Sequence, residues 1–159
     1  MILWDKQMET GSRTIDEQHR MLINNLNHLE CMLNATNPTR EECEFLIQLV
    51  NFLESYAEKH FRFEEQCTER YRCPMHAKNK DAHGMFLTLF QRFKERCKTE
   101  GLRPDMIRAL HQTLSLWIQE HIVKIDTQLK PCLKEGDPES PLAGANPIHT
   151  QNSENRITP

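Results

Sequence analysis

An all-α, antiparallel up-down-up-down four-helix bundle with an N-terminal arm is the architecture the sequence predicts, on three observations. Four stretches repeat apolar residues at alternating steps of three and four, the period of a helix with one buried face. Short connections separate them, and short connections force neighbouring helices to run antiparallel. No stretch alternates apolar and polar residues as a strand would. The bundle is expected over residues 1–133, with 1–13 as the arm. Residues 134–159, rich in Pro, Gly, Ser, Asn and Thr and poor in large apolar side chains, are expected to be a flexible tail or linker.

The arm carries Trp4, Met8 and Gly11 without helical periodicity, and its aromatic is expected to pack on the body. The first helix is expected to open at Thr14, with Glu17 three residues on completing a reciprocal cap. Its stripe reads Ile15, His19, Leu22, Leu26, Leu29, Leu33. Asn34 to Pro38 breaks it, and Thr39 with Glu42 repeats the capping pattern. The second stripe runs Leu46, Leu49, Leu53, Tyr56, His60, Phe63, Cys67, and stops near Arg72-Cys73-Pro74. The third runs His76, Asn79, His83, Phe86, Phe90, Phe93, Cys97. Gly101 and Pro104 punctuate the next turn, Pro104 suiting the first turn of a helix. The fourth stripe is Met106, Leu110, Leu114, Trp117, His121, with Asp126 close behind and Pro131 closing the helix.

A length of 159 residues suits one domain with a real core. A net charge of -3 and a pI near 6.2 supply no basic field for nucleic acid or an anionic membrane surface, and neither partner is expected. The apolar runs fall short of a membrane span and the start lacks a secretory leader pattern, so the cytoplasm is the expected compartment. There the six dispersed cysteines are expected to be free thiols, with Cys67 and Cys73 able to pair under oxidation.

Antiparallel packing puts residues early in helices one and three level with residues late in helices two and four. His19, His60, Glu64, His83, His121 and Asp126 then share one inward layer. A lone histidine on an apolar face is ordinarily a satisfied core residue, and a buried carboxylate ordinarily meets an arginine. Six such residues at one level, with no Arg or Lys in the stripes, favour a nitrogen and oxygen cage for two metal ions. One difficulty stands. His121 and Asp126 are five residues apart, which on a regular helix turns their side chains about 140° from each other. Convergence requires a widened or fraying helix end.

The chain resembles the hemerythrin and bacterial hemerythrin-like domains. The resemblance rests on the arm from Trp4 to Gly11, Ile15-Asp16-Glu17-Gln18-His19, His60-Phe61 with Glu64-Glu65, His83 followed by Phe86, and Trp117 with His121-Ile122 and Asp126. It implies a non-haem di-iron centre, two iron ions with a bridging oxygen species, that binds dioxygen reversibly. By the same resemblance Glu64 and Asp126 would bridge, His19 and His60 would serve the iron with an open position, and His83 and His121 would serve the other. The family pattern has a further histidine four residues before His83, where this chain has Asn79. Asn79, directly or through water, is expected near the metal in preference to His76.

The weaker ligand at Asn79 favours an oxygen or redox sensor, whose tail would lead to a signalling output domain or partner protein. An oxygen carrier or store is the alternative, or a di-iron oxidoreductase acting on peroxide or nitric oxide. Two inward carboxylates are few for an oxidising di-iron bundle, and the layer holds no additional acid, base or nucleophile, so binding without catalysis is expected. A zinc-stabilised or metal-free scaffold would leave part of the layer unused. Phe63, Phe86 and Trp117 are expected to line the site and exclude water.

Overall fold

A computed structural model describes residues 1–34 and 40–133 of the chain. Four α-helices stand among these residues, α1 (Arg13–Leu33), α2 (Arg40–Arg70), α3 (His76–Glu100) and α4 (Pro104–Lys124), with no strand. Each packs on the next, and α4 closes the ring against α1. The antiparallel sense shows where Arg108, early in α4, donates to the carbonyl of Leu33 and to Asn34 Oδ1 at the end of α1, satisfying groups that a helix end leaves open. This is the four-helix bundle that the periodicity predicts. The expected Thr39 and Glu42 cap and the expected tail lie outside the described residues, in whole or in part.

The start of α1 differs from expectation. Ser12, not Thr14, is the cap: its backbone is extended and its Oγ accepts from the Ile15 amide. Glu17 pairs instead with exposed Arg13 one turn back. Gly11, at φ +89°, makes the bend that places Ser12 there, and Asp16 reaches back to accept from both the amide and the hydroxyl of Thr10 at 2.8 Å. The arm is not wholly irregular, since Lys6–Met8 forms a 3-10 turn capped by Asp5, and it buries Ile2 and Met8. Trp4 lies over the body with the Arg20 guanidinium 4.4 Å from its ring centre.

The fourth helix also ends earlier than Pro131. It stops at Lys124, Ile125 leaves helical geometry at φ -121° and ψ -61°, and the chain resumes as a 3-10 turn over Asp126–Leu129. Pro104 occupies the first turn as expected.

Of the six cysteines, Cys73 and Cys132 form a disulfide with Cα atoms 5.6 Å apart, which corrects the expectation of six free thiols. The partner of Cys73 is Cys132 and not Cys67. Separated by 59 positions, the pair is joined by the fold, and spacing along the chain could not reveal it.

Two apolar clusters fill the bundle. The larger runs from Leu22, Leu26 and Leu29 of α1 through Leu46, Leu49 and Leu53 of α2 to Phe86, Phe90, Leu114 and Ile118. The smaller holds Ile15, Phe63, Cys67, Cys73, Leu129 and Leu133. Along α1 and α2 the polar residues His19, His60 and Glu64 fall between the members of the two clusters. The polar layer is therefore enclosed by apolar packing on both sides.

Candidate metal centre

All four helices and the last 3-10 turn contribute to this layer. His19 comes from α1, His60 and Glu64 from α2, Asn79 and His83 from α3, His121 from α4, and Asp126 from the turn; each is at least nine-tenths buried. Their possible ligand atoms form two overlapping groups. Glu64, His83, His121 and Asp126 make one, and His19, His60 and Glu64 the other, the atoms of each lying within 4.8 Å of one another. Glu64 belongs to both. Asp126 also spans the layer, with Oδ1 2.9 Å from His121 Nε2 and Oδ2 3.3 Å from His19 Nε2. The break at Ile125 is what permits this, because it replaces the about 140° divergence of a continuing helix with a turn that brings Asp126 back beside His121.

Many of these atoms have no well-aligned hydrogen-bond partner, even where, as between Asp126 Oδ1 and His121 Nε2, two of them lie close together. They include His19 Nδ1, Glu64 Oε1, Asn79 Oδ1, His83 Nε2, both ring nitrogens of His121 and both oxygens of Asp126. Each such buried group costs about 1–3 kcal/mol when left unmet. A concentration of this kind in one layer fits cation ligation far better than a structural polar core. His111 of α4, outside this layer, shows the ordinary case, with Nε2 met by Ser115 Oγ at 3.2 Å.

Charge in the layer is finely divided. No Lys or Arg is among the buried side chains described. Burial opposes charge on Asp126, yet His121 and His19 hold its carboxyl well below the usual range. Burial opposes charge on His83 too, but Glu64 and Glu65 raise it to about 9. His19 is raised against its burial by Asp126, Glu64 and Asp16. His60 goes the other way, held well below the ordinary imidazole value by burial and by His19 and His83. Positive charge must enter this layer as protons or as metal, since side-chain cations do not reach it.

Two residues that belong to the motifs quoted above, but to which the sequence assigns no role, orient the imidazoles. Gln18 Oε1 lies 2.7 Å from His60 Nδ1, and Glu65 Oε1 lies 2.9 Å from His83 Nδ1. These oxygens accept from Nδ1–H, so that in the neutral imidazole it is Nε2 that offers its lone pair to the layer, the arrangement of a metal-ligating histidine, and on His83 a metal would take the place of the second proton. Asn79 Nδ2 donates to Glu64 Oε2 at 3.0 Å. His76 is half-buried, faces Thr68 Oγ1 at 2.9 Å, and belongs to neither ligand group.

The aromatic wall differs in one member from expectation. Phe61 stacks on His83 at 3.9 Å between ring centres and Trp117 stacks on His121 at 4.1 Å, with Phe86 packed on both Phe61 and Trp117. Phe63 instead joins the smaller apolar cluster.

A buried layer of histidines and shared carboxylates inside an antiparallel four-helix bundle defines a helical metal-binding domain. The chain belongs to the hemerythrin family: the Hemerythrin HHE cation binding domain matches residues 10–133. Among curated relatives it is similar to the bacteriohemerythrin of Stenotrophomonas maltophilia (strain R551-3), 27% identical over 122 residues that cover 77% of this chain and 74% of that protein. It is 25% identical to the bacteriohemerythrin of Pseudomonas aeruginosa (strain LESB58) over 121 residues, 76% of this chain and 74% of that one.

Proposed function

We propose that the chain holds two iron ions in this layer and through them binds dioxygen, serving as an oxygen or redox sensor domain and not as an enzyme. The observation that carries the reading is the pair of overlapping ligand groups that share Glu64, with Asp126 lying between His19 and His121. His19 and His60 would serve one ion, His83 and His121 the other, and Glu64 and Asp126 both. Iron in such a set supplies reversible electron exchange with dioxygen.

The protein's own residues prepare the site for it. Gln18 and Glu65 hold His60 and His83 in the ligating tautomer. Phe61, Phe86 and Trp117 keep water from one side, while a cavity of about 150 Å³ bounded by Trp117, Glu120, His121, Lys124 and Ile125 borders the outer face of His121. Asn79 supports the sensor reading over a carrier. An amide oxygen binds iron more weakly than an imidazole, and here the amide also donates to Glu64, so the ion beside it would be more readily opened and oxidised.

Metal content per chain on protein purified without oxygen, followed by visible spectra before and after admitting air, tests the proposal. About two irons per chain and an absorption band that appears with air are expected. A band that develops and then goes over irreversibly to the oxidised form fits the sensor. One that fades fully on removing oxygen over many cycles would establish the carrier instead, and a colourless protein holding zinc would overturn the iron reading.

A further inference from the structure

We propose that the Cys73–Cys132 disulfide is a thiol–disulfide latch on the turn that carries Asp126, so that thiol redox state sets how firmly the metal layer is closed. The consequence for metal rests on the iron reading above; the latch itself does not.

The two half-cystines sit in unlike surroundings. Cys73 is buried and fixed by the end of α2, where its amide donates to Thr68 O at 2.8 Å after Arg72 turns the chain at φ +51°. Cys132 is half-buried and lies in the segment that follows α4, which has already left helical geometry at Ile125. That segment is held at its start by the Ile125 amide on His121 O, at 2.8 Å. Farther along, Leu129 and Leu133 bury in the smaller cluster, and the disulfide ties Cys132 to the α2–α3 turn. Asp126, shared between His19 and His121, lies between these anchors. Cleaving the bond leaves the turn with two apolar side chains and local hydrogen bonds, so the carboxylate that spans the layer becomes part of a segment free to open.

The chemistry balances as ordinary exchange. A thiolate of a dithiol reductant attacks Sγ of Cys132, the less buried of the two residues, and the Cys73 sulfur leaves and takes up a proton. The second thiol of the reductant then displaces Cys132 as a thiol, and the reductant departs as its own disulfide. Two electrons and two protons have passed to the protein. A small disulfide oxidant reverses both steps. Because Cys132 is partly exposed while Cys73 is buried, the bond is open to exchange from one side, which suits a latch better than a sealed structural staple.

The test compares the full chain, air-oxidised and dithiol-reduced, in two measurements. Hydrogen exchange on the metal-free protein is expected to speed up on reduction at the amides of Ile125, Cys132 and Leu133, by about tenfold or more, and to stay unchanged in α1. On protein loaded anaerobically with ferrous iron, loss of iron to a ferrous chelator is expected to quicken on reduction by a similar factor. Both responses should vanish in Cys132→Ser and Cys73→Ser and persist in Cys97→Ser; reduced wild-type protein makes the comparison without any substitution. Equal exchange in the two states, or alkylation showing both cysteines as thiols after air oxidation, overturns the latch. Uptake of no iron in either state overturns the metal reading, and the exchange comparison then decides the latch alone.

Discussion

Asn79 gives the layer its asymmetry. It stands where the family pattern has a histidine, is fully buried, and donates to Glu64 with its other amide atom unmet. Asn79→His is expected to slow both iron loss to a chelator and autoxidation, by about tenfold, in stopped-flow traces of the ferrous protein. Equal rates would remove the argument for a weakened ion. Glu65→Gln should weaken iron binding about 10- to 100-fold in a competition titration, because the carboxylate that strengthens His83 becomes a neutral acceptor. At this scale the sequence spoke unevenly. His19, His60, His83 and His121 betray themselves because a polar residue on an apolar stripe breaks a period, whereas Glu64 and Asp126 are found by their places one turn after His60 and just behind His121. Gln18 and Glu65 flank the stripes, where polar residues are ordinary, and only the approach of another helix shows what each one meets.

At the scale of elements, the breaks matter more than the helices. Every described stripe residue from Ile15 to Leu33 is buried, so hydrophobic period alone located the buried face of α1. Its first residue was not legible in the same way. Ser12 and Thr14 both offer a hydroxyl, and the choice is made by Gly11 and by the tie between Asp16 and Thr10. Asp16→Ala is expected to cost about 1–3 kcal/mol in a denaturant titration, since Thr10 loses the acceptor of two buried hydrogen bonds. The same change should loosen the arm and raise the exposure of Trp4, seen as a red shift in its emission. The divergence between His121 and Asp126 was visible in the sequence as a conflict, and its resolution at Ile125 was not. A backbone turn with no glycine or proline at the turning residue leaves no compositional mark.

For the whole molecule, the two apolar clusters carry stability while the layer between them carries the chemistry. Phe90, fully buried in the larger cluster, is the sharper probe of that division. Phe90→Ala should cost about 3–5 kcal/mol in thermal or denaturant unfolding while leaving iron per folded chain unchanged. Conversely, ion removal should lower the melting temperature without a change of helix content, with a loss of about 2.7 kcal/mol for each ion relative to protein at a free-ion level ~100-fold above Kd. The two tryptophans add an optical consequence to this division. Trp117 lies 4.1 Å from His121 and Trp4 lies 6.4 Å from His19, so each half of the layer has one indole beside it. Indole fluorescence is quenched steeply with proximity to a transition ion. Trp4→Phe and Trp117→Phe would therefore each leave a single emitter reporting on one side, and a titration of the two proteins would reveal the order in which the halves fill.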